Sequence, residues 1–406
     1  MNRHRGGLFG RARGGDTADL REHNLALVLR YLRDNGPSSR AQIAASSTLG
    51  LSTLTGMISD LKALELVNEG LAPTQSRLGR PTHSVSLSGD AWVVAGLRLD
   101  VDGVQAKTAT VGGDHLGSYA DRADLRGGDT APALRMLRAA IDWIVESIDP
   151  HRTLTAITVA VPGVISPCGD HVARSDSLGW SNIDLLTAVR EQLLAGGCGA
   201  VVVELDRDSA VAALGLARGD LRERIGRRTA LYFGGERTVS GAVLLAGESM
   251  HSGSAGEADF AGIRVSVEGR EGRGVDRLGR VVGLSALLAA ASVHHQEEAD
   301  TLVDRFPRDA LAAFVSALAE GDERAASVLT SAMTSLAQAI ESAVAVVGAE
   351  VVMLDGYLGV LASLVDPPVD AAVDVIALAS HPSRIVDGAV FAARDARLAQ
   401  PLRIRN

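Results

Sequence analysis

Leu25, Val28, Leu29 and Leu32 stand at i, i+3, i+4 and i+7, the repeat of one face of an amphipathic helix. The stretch "NGPS" stops that helix, and Ser39 and Gln42 in "SRAQ" follow with capping-box spacing, so a second helix begins with its first N–H groups satisfied. After the short turn "TLG" a third helix carries Leu54, Ile58 and Leu61 on its buried side. Its opposite side presents Thr53, Thr55, Gly56, Ser59 and Lys62, small or polar residues that can approach base edges without steric conflict. Two strand-like runs come next in "ELVNEGLAPTQSRLGRPTHSVSLS", with Val85 and Leu87 alternating against polar neighbours. The loop between them carries Arg77 and Arg80 in "RLGRP", an extended segment suited to laying arginine into a narrow minor groove. Three short helices and a hairpin in this order predict a winged helix-turn-helix over 20–88, with the third helix as recognition helix. The Gly/Arg stretch at 1–19 is expected to be a flexible tail; its Arg3, Arg5, Arg11 and Arg13 either serve as an arm or are simply solvated.

From Ala91 onward the pattern changes. "AWVVAGLRLD", "GVQAKTATV" and "DHLGSYA" read as three successive strands, followed by a helix through "ALRMLRAAIDWIVESI" and the buried strand "TAITVAVPG". A comparable order recurs later: "RTALYFGG" and "SGAVLLAG", helices from Leu284 to Val293 and beyond Asp322, then the strand "EVVMLDG". The alternation predicts α/β architecture with covered sheets, and the recurrence predicts two similar halves with a cleft between them. His294 and His295 in "VHHQEEAD" point to different sides of a helix, which favours a solvated helix end over shared metal ligation.

Composition narrows this picture. With 406 residues, 46% hydrophobic and 22% charged, the chain has the balance of a folded protein of two or three domains. The longest apolar stretches fall short of the roughly 20 residues needed to cross a bilayer, and the N-terminal segment has no apolar signal core. A cytoplasmic protein without membrane contact is expected, with Cys168 and Cys198 as reduced thiols. The net charge of −9 is unevenly placed: through Ser88 there are 11 Lys and Arg against 7 Asp and Glu, and beyond it 29 against 42. A basic front on an acidic body points to a polyanion partner, double-stranded DNA, for the front. The recognition helix has a single lysine offset by Asp60, so phosphate affinity must come largely from the wing, the tail or dimerisation.

The front taken with "VPGVISPCGDHVARSDSLGW", "VVELDRDSAVAAL", "FGGERTVSGAVLLAG", "GSAGEADF" and "EVVMLDG" resembles the ROK family (repressors, open reading frames and kinases) in its winged-helix repressor branch, over about Leu20 to Ala399. The resemblance implies an actin/hexokinase-like pair of α/β lobes at 89–406. In family kinases an Asp-x-Gly-Gly-Thr turn holds ATP phosphates; the matching stretch is Asp100, Val101, Asp102, Gly103, Val104. The second phosphate turn, Gly-x-Gly-Ile-Gly-x-Gly, matches Gly235, Glu236, Arg237, Thr238, Val239, Ser240, Gly241, where only the outer glycines survive. An added carboxylate and lost backbone access both oppose nucleotide binding. Arg237 and Ser240 are left as contacts for some other anion.

The family's sugar-binding Asn-Asp pair is matched to Leu205-Asp206, with Asp206 either keeping the base position or serving as an inert or capping carboxylate at a helix start. The Glu-x-Gly-His motif matches Glu257, Ala258, Asp259, Phe260. Phe260 cannot replace a metal-binding imidazole, and "RVSVEGREGRGVDRLG" contains no cysteine, so no zinc or other cofactor is expected. The expectation is a DNA-binding regulator, a repressor, with catalytically inactive lobes that dimerise or form tetramers and sense a sugar-type effector through Asp206 and Glu257. The alternatives are a ligand-independent dimeric scaffold and, further off, an ATP-dependent sugar kinase.

Overall fold

The computed structural model describes residues 17–47, 49–71, 83–246, 248–249, 259–269, 272–379, 381 and 383–403. At the front, α1 (Thr17–Asn35), α2 (Arg40–Ser46) and α3 (Leu51–Ala63) precede the antiparallel pair β1 (Val67–Leu71) and β2 (His83–Leu87). Leu25, Val28, Leu29 and Leu32 of α1 are buried against Leu54, Ile58 and Leu61 of α3. Each such leucine contributes roughly 1.5–3 kcal/mol by leaving water. The capping box forms: Ser39 Oγ accepts from the Gln42 N–H at 3.3 Å and Gln42 Oε1 accepts from the Ser39 N–H at 2.8 Å. Ser38 extends the wing sheet by exchanging two backbone hydrogen bonds with Val85. Helix α1 begins at Thr17, within the segment read as a tail. Arg77 and Arg80 lie outside the described residues, as do the tail arginines.

The body contains two sheets of one design. In lobe 1, β3 (Trp92–Asp100), β4 (Gly103–Thr110) and β5 (His115–Arg122) form an antiparallel meander, and β6 (Thr153–Val161) adds parallel to β3 beyond α4 (Thr130–Ser147). A small sheet of β7 (Val164–Ile165), β8 (Val172–Ser175) and β9 (Trp180–Ile183) and the helix α5 (Leu185–Ala195) lead to β10 (Val202–Arg207), parallel to β6. Helices α6 (Asp208–Arg218) and α7 (Arg222–Ile225) cross to lobe 2, where β11 (Ala230–Gly234), β12 (Ser240–Leu245) and β13 (Glu248–Ser249) repeat the meander.

A hairpin of β14 (Arg264–Gly269) and β15 (Gly272–Arg277) precedes the helices α8 (Leu278–Val282), α9 (Leu284–Ala290), α10 (Gln296–Arg305), α11 (Pro307–Ala319) and α12 (Glu323–Val347). Parallel β16 (Val351–Leu354) and β17 (Asp374–Ala377) flank α13 (Tyr357–Ala362), and α14 (Arg384–Ala399) closes the chain. The strand orders β5-β4-β3-β6-β10 and β13-β12-β11-β16-β17 are the same arrangement twice, as the recurrence in sequence predicts.

Helices α6 and α14 hold the lobes to each other. A Cβ on Gly388 would overlap the Val211 carbonyl, and one on Gly215 would lie 3.1 Å from the Gly388 Cα, so the two backbones touch. Helix α14 also lies across β3 and β6, while α6 packs on β12. The buried cluster of the front domain continues into lobe 1 through Val94, Val111, Ala156, Ala393 and Leu398. Trp92 Nε1 donates to the Leu64 carbonyl at 2.8 Å across the same boundary. His294 and His295 lie in the turn before α10, with His295 at its N-cap. No helix among the described residues is long and apolar enough to cross a membrane.

Candidate functional site

Two places in the molecule have the character of sites. On α3, Thr53, Thr55, Gly56, Ser59 and Lys62 are all exposed on one side, opposite buried Leu54, Ile58 and Leu61. The Thr55 hydroxyl donates to the Leu51 carbonyl at 2.9 Å and the Ser59 hydroxyl to the Thr55 carbonyl at 3.2 Å, leaving both oxygens free to accept. Gly56 has nothing within 4 Å of where a Cβ would stand. Glycine in a helix interior costs about 1 kcal/mol against alanine, and among the described residues no packing contact offsets that cost. The backbone of α3 is open to close approach at that point.

The charges around this face differ from the sequence reading. Asp60 pairs with Arg21 at 2.7 Å and not with Lys62. Lys62 meets Glu69 of β1 at 3.2 Å, and the same carboxylate pairs with Arg40 at 2.8 Å. Partial burial works to raise the Glu69 carboxyl, but Lys62 and Arg40 outweigh it and hold the group below its usual range.

The second site is a cleft of about 320 Å³ between the lobes. Arg98 and Asp100 come from β3, Asp208 from the start of α6, the 235–241 loop from the β11–β12 turn, and Asp355 and Arg384 from lobe 2 and α14. Asp206 is not among its lining residues. It is buried in the last residues of β10, where its carboxylate accepts from the Arg207 N–H at 2.8 Å. It also does not start the helix, because Arg207 is the N-cap and Asp208 the first helical residue. The acid that reaches the cleft is thus Asp208, two residues on. Burial, with the charge of Asp100, pushes its carboxyl up to about 6 against the opposing pull of Arg98 and Arg207. Glu257 lies outside the described residues, and the sequence reading overlooked Asp208.

Most charges in the cleft are already engaged. Arg98 binds Asp100 at 2.6 Å and approaches Glu236 at 3.5 Å. Asp355 is ion-paired with Arg384 and accepts from the Tyr232 hydroxyl at 3.0 Å. Its carboxyl is raised by burial in spite of Arg384. The two glycines kept in the 235–241 loop have local reasons. Gly235 adopts φ +138 with a Cβ position blocked by the Thr238 carbonyl, and Gly241 is covered by the Phe260 ring. Phe260 in turn stacks on Phe233 with ring centres 4.4 Å apart, giving that side of the cleft an apolar wall. The anion contacts expected of Arg237 and Ser240 are used internally: Arg237 binds Asp102 at 3.0 Å and Ser240 Oγ donates to the Gly234 carbonyl at 2.9 Å.

Cleft and front domain are joined by continuous helices. Helix α6 runs from Asp208 to Arg218, and α14 from Arg384 to the turn holding Asp395. At their far ends Arg218 lies 3.5 Å from Asp34 and 3.4 Å from Asp395, while Arg33 pairs with both Asp34 and Asp395. Arg222 donates to the carbonyls of Arg33 and Asp34 at the last turn of α1. No local pattern in the sequence signals this junction.

No family model matches the chain. The xylose repressor of Caldicellulosiruptor bescii is 24% identical over 206 residues, covering 50% of this chain and 49% of that protein. The transcriptional regulator Mb0495 of Mycobacterium bovis is 25% identical over 279 residues, covering 67% of this chain and 60% of that one. The matches thus span between about half and three fifths of the length of these curated relatives. Among solved structures, a ROK family transcriptional regulator described as a homologue of the E. coli MLC protein superposes with TM-score 0.71 at 17% identity, over 95% of this chain and 98% of that one. A ROK family glucokinase from Streptomyces griseus, solved with glucose and AMPPNP, superposes with TM-score 0.54 at 15% identity. It is matched over 99% of its own length but only 74% of this chain, so the kinase corresponds to part of the molecule and the regulator to nearly all of it. The fold is the one seen in these structures, with the front helices and hairpin strands of the regulator set before two lobes like those of the sugar kinase.

Proposed function

We propose that this protein is a DNA-binding transcriptional regulator, acting as a repressor in the cytoplasm, whose lobes serve dimerisation and effector sensing and not phosphoryl transfer. The observation that carries this reading is the exposed face of α3, where Thr53, Thr55, Gly56 and Ser59 face outward beside Lys62, itself exposed though paired with Glu69, and no described residue packs where a Gly56 Cβ would stand. The wing arginines Arg77 and Arg80 would supply minor-groove and phosphate contacts. One module with so few free cations binds weakly, so two copies in a homodimer or homotetramer would engage an operator of approximate two-fold symmetry. The names of the relatives, a repressor and a transcriptional regulator, support the same class.

The division into a tail at 1–19, a DNA-binding unit at 20–88 and the lobes at 89–406 belongs to this proposal. So does the assignment of a sugar-type effector to the cleft, with Asp208 in place of Asp206 as the described contact and Glu257 as a second. Asp102, Glu236 and Arg237 fill the two turns with charge, which supports a chain that needs no nucleotide, metal or other cofactor. Selection of binding sites from random duplexes by the intact protein tests the reading. A recovered two-fold motif whose binding is lost in T53A/S59A supports it, and recovery of no motif overturns it.

A second reading is favoured by the internal pairing of the cleft: the lobes act as a ligand-independent dimer scaffold. Thermal unfolding against sugars, amino sugars and sugar phosphates separates the two, since a ligand at a hundredfold excess over its Kd stabilises by about 2.7 kcal/mol. A coupled ADP-release assay over the same sugars is expected to show no turnover.

A further inference from the structure

Four residues from the two lobes close into a ring of charge at the mouth of the cleft. Asp102, in the β3–β4 turn, and Arg126, after β5, belong to lobe 1; Arg237, in the β11–β12 loop, and Asp304, near the end of α10, belong to lobe 2. Asp102 pairs with Arg126 at 2.9 Å through one oxygen and with Arg237 at 3.0 Å through the other. Arg126 reaches across to the Asp304 carboxylate at 2.9 Å, and Arg237 Nε donates to the Asp304 carbonyl at 3.0 Å. Each arginine therefore touches both lobes. Both arginine side chains are 16% exposed, whereas Asp102 and Asp304 are about half exposed, so the cations are held and the anions face water. Alongside, Arg98 of lobe 1 and Glu236 of lobe 2 add a further contact across the same gap.

We infer that this ring is an interlobe latch, through which the chain's own charges hold the cleft closed. The two turns that carry Asp102 and Arg237 face each other across the cleft, and each bears a charge that the other satisfies. An isolated exposed pair contributes little, but here Asp102 is shared between both arginines and Arg126 is shared among Asp102, Asp124 and Asp304, which orders both arginine forks at once. The half-exposed carboxylates make the latch sensitive to ionic strength, and a ligand anion that competes for either guanidinium opens it. Opening shifts a population between two lobe arrangements, which is the property an effector-controlled body requires. The latch does not depend on the DNA-binding reading, since it concerns the lobes alone.

The test uses the intact protein in a C168S/C198S background, labelled at L194C in lobe 1 and V346C in lobe 2, both exposed positions, with inter-label distances read by pulsed electron paramagnetic resonance. At low salt the parent is expected to show one dominant short-distance population. D102N and R237Q should each raise the longer-distance population severalfold, and D102N/R237Q should go no further than either alone. Salt of about 1 M, where the Debye length is about 3 Å, should open the parent more than the double variant, which keeps only the Arg126–Asp304 pair of the ring across the lobes. R126K keeps the charge while losing the fork and should fall between parent and R237Q, which preserves the test if a bolder variant folds poorly. The radius of gyration from solution scattering should follow the same order. Distances and radii that ignore both the substitutions and the salt overturn the latch, as does additivity of the two single variants.

Discussion

Arg33 of α1 and Asp395 of α14 form a 2.7 Å ion pair with side chains only 5% and 18% exposed. It fastens the front helices to the helix whose other end, Arg384, is paired with Asp355 in the cleft. Helix α14 also lies in backbone contact with α6, so the two helices form a continuous packed path from the cleft to the last turn of α1.

Replacing Asp395 with Asn should therefore do two things. It removes one charge partner from a nearly buried arginine, at a cost on the order of 1–3 kcal/mol in denaturant unfolding. It should also weaken the effect of any cleft ligand on operator affinity more than it weakens binding of that ligand. A variant that lost ligand binding and kept full coupling would contradict the route through α14.

At Gly56 stability and function should move in opposite directions. G56A is expected to stabilise the protein by up to about 1 kcal/mol, since alanine is the better helix former and meets no neighbour there. Operator affinity measured by fluorescence anisotropy should fall in the same variant. Unchanged affinity would mean that α3 does not approach a partner at this point.

Glu69 restrains two cations on and beside α3, Lys62 and Arg40. E69Q frees both for phosphate, so duplex affinity should rise for all sequences. The slope of log K against log salt should steepen by about 1–2. A change confined to the specific operator would place Glu69 in base recognition instead.

Asp208 offers a pH signature. Its folded carboxyl titrates at about 6, above the ordinary value of 3.8, so the folded state binds the extra proton between those limits. Stability from this group is present below the unfolded value and is lost as pH rises through about 6. D208N removes the titration, so its stability relative to the parent should increase from about pH 4 to 6 and then level off, by on the order of 3 kcal/mol. A flat difference across that range would remove Asp208 from the buried end of the cleft.

Much of the architecture could be read directly from residue order. The periodicity of Leu25, Val28, Leu29 and Leu32, the Ser39–Gln42 box and the small polar face of α3 are local patterns, set by 3.6-residue geometry and by hydrogen bonds reaching only a few residues along the chain. The recurrence of strands and helices likewise announced two similar lobes. That Asp208 and not Asp206 reaches the cleft was not legible, because it depends on where β10 yields to α6, and that boundary is decided by how the strand pairs with β6 and the helix packs on β12.

The pairing of Asp102 with Arg237, 135 residues apart, and of Arg33 with Asp395 depends on the packing of whole lobes. The sequence by itself determined the elements, their buried faces and the charge on each turn. Only the tertiary structure decided which charges meet, because an ion pair depends on separation in space and its members carry no periodic mark along the chain.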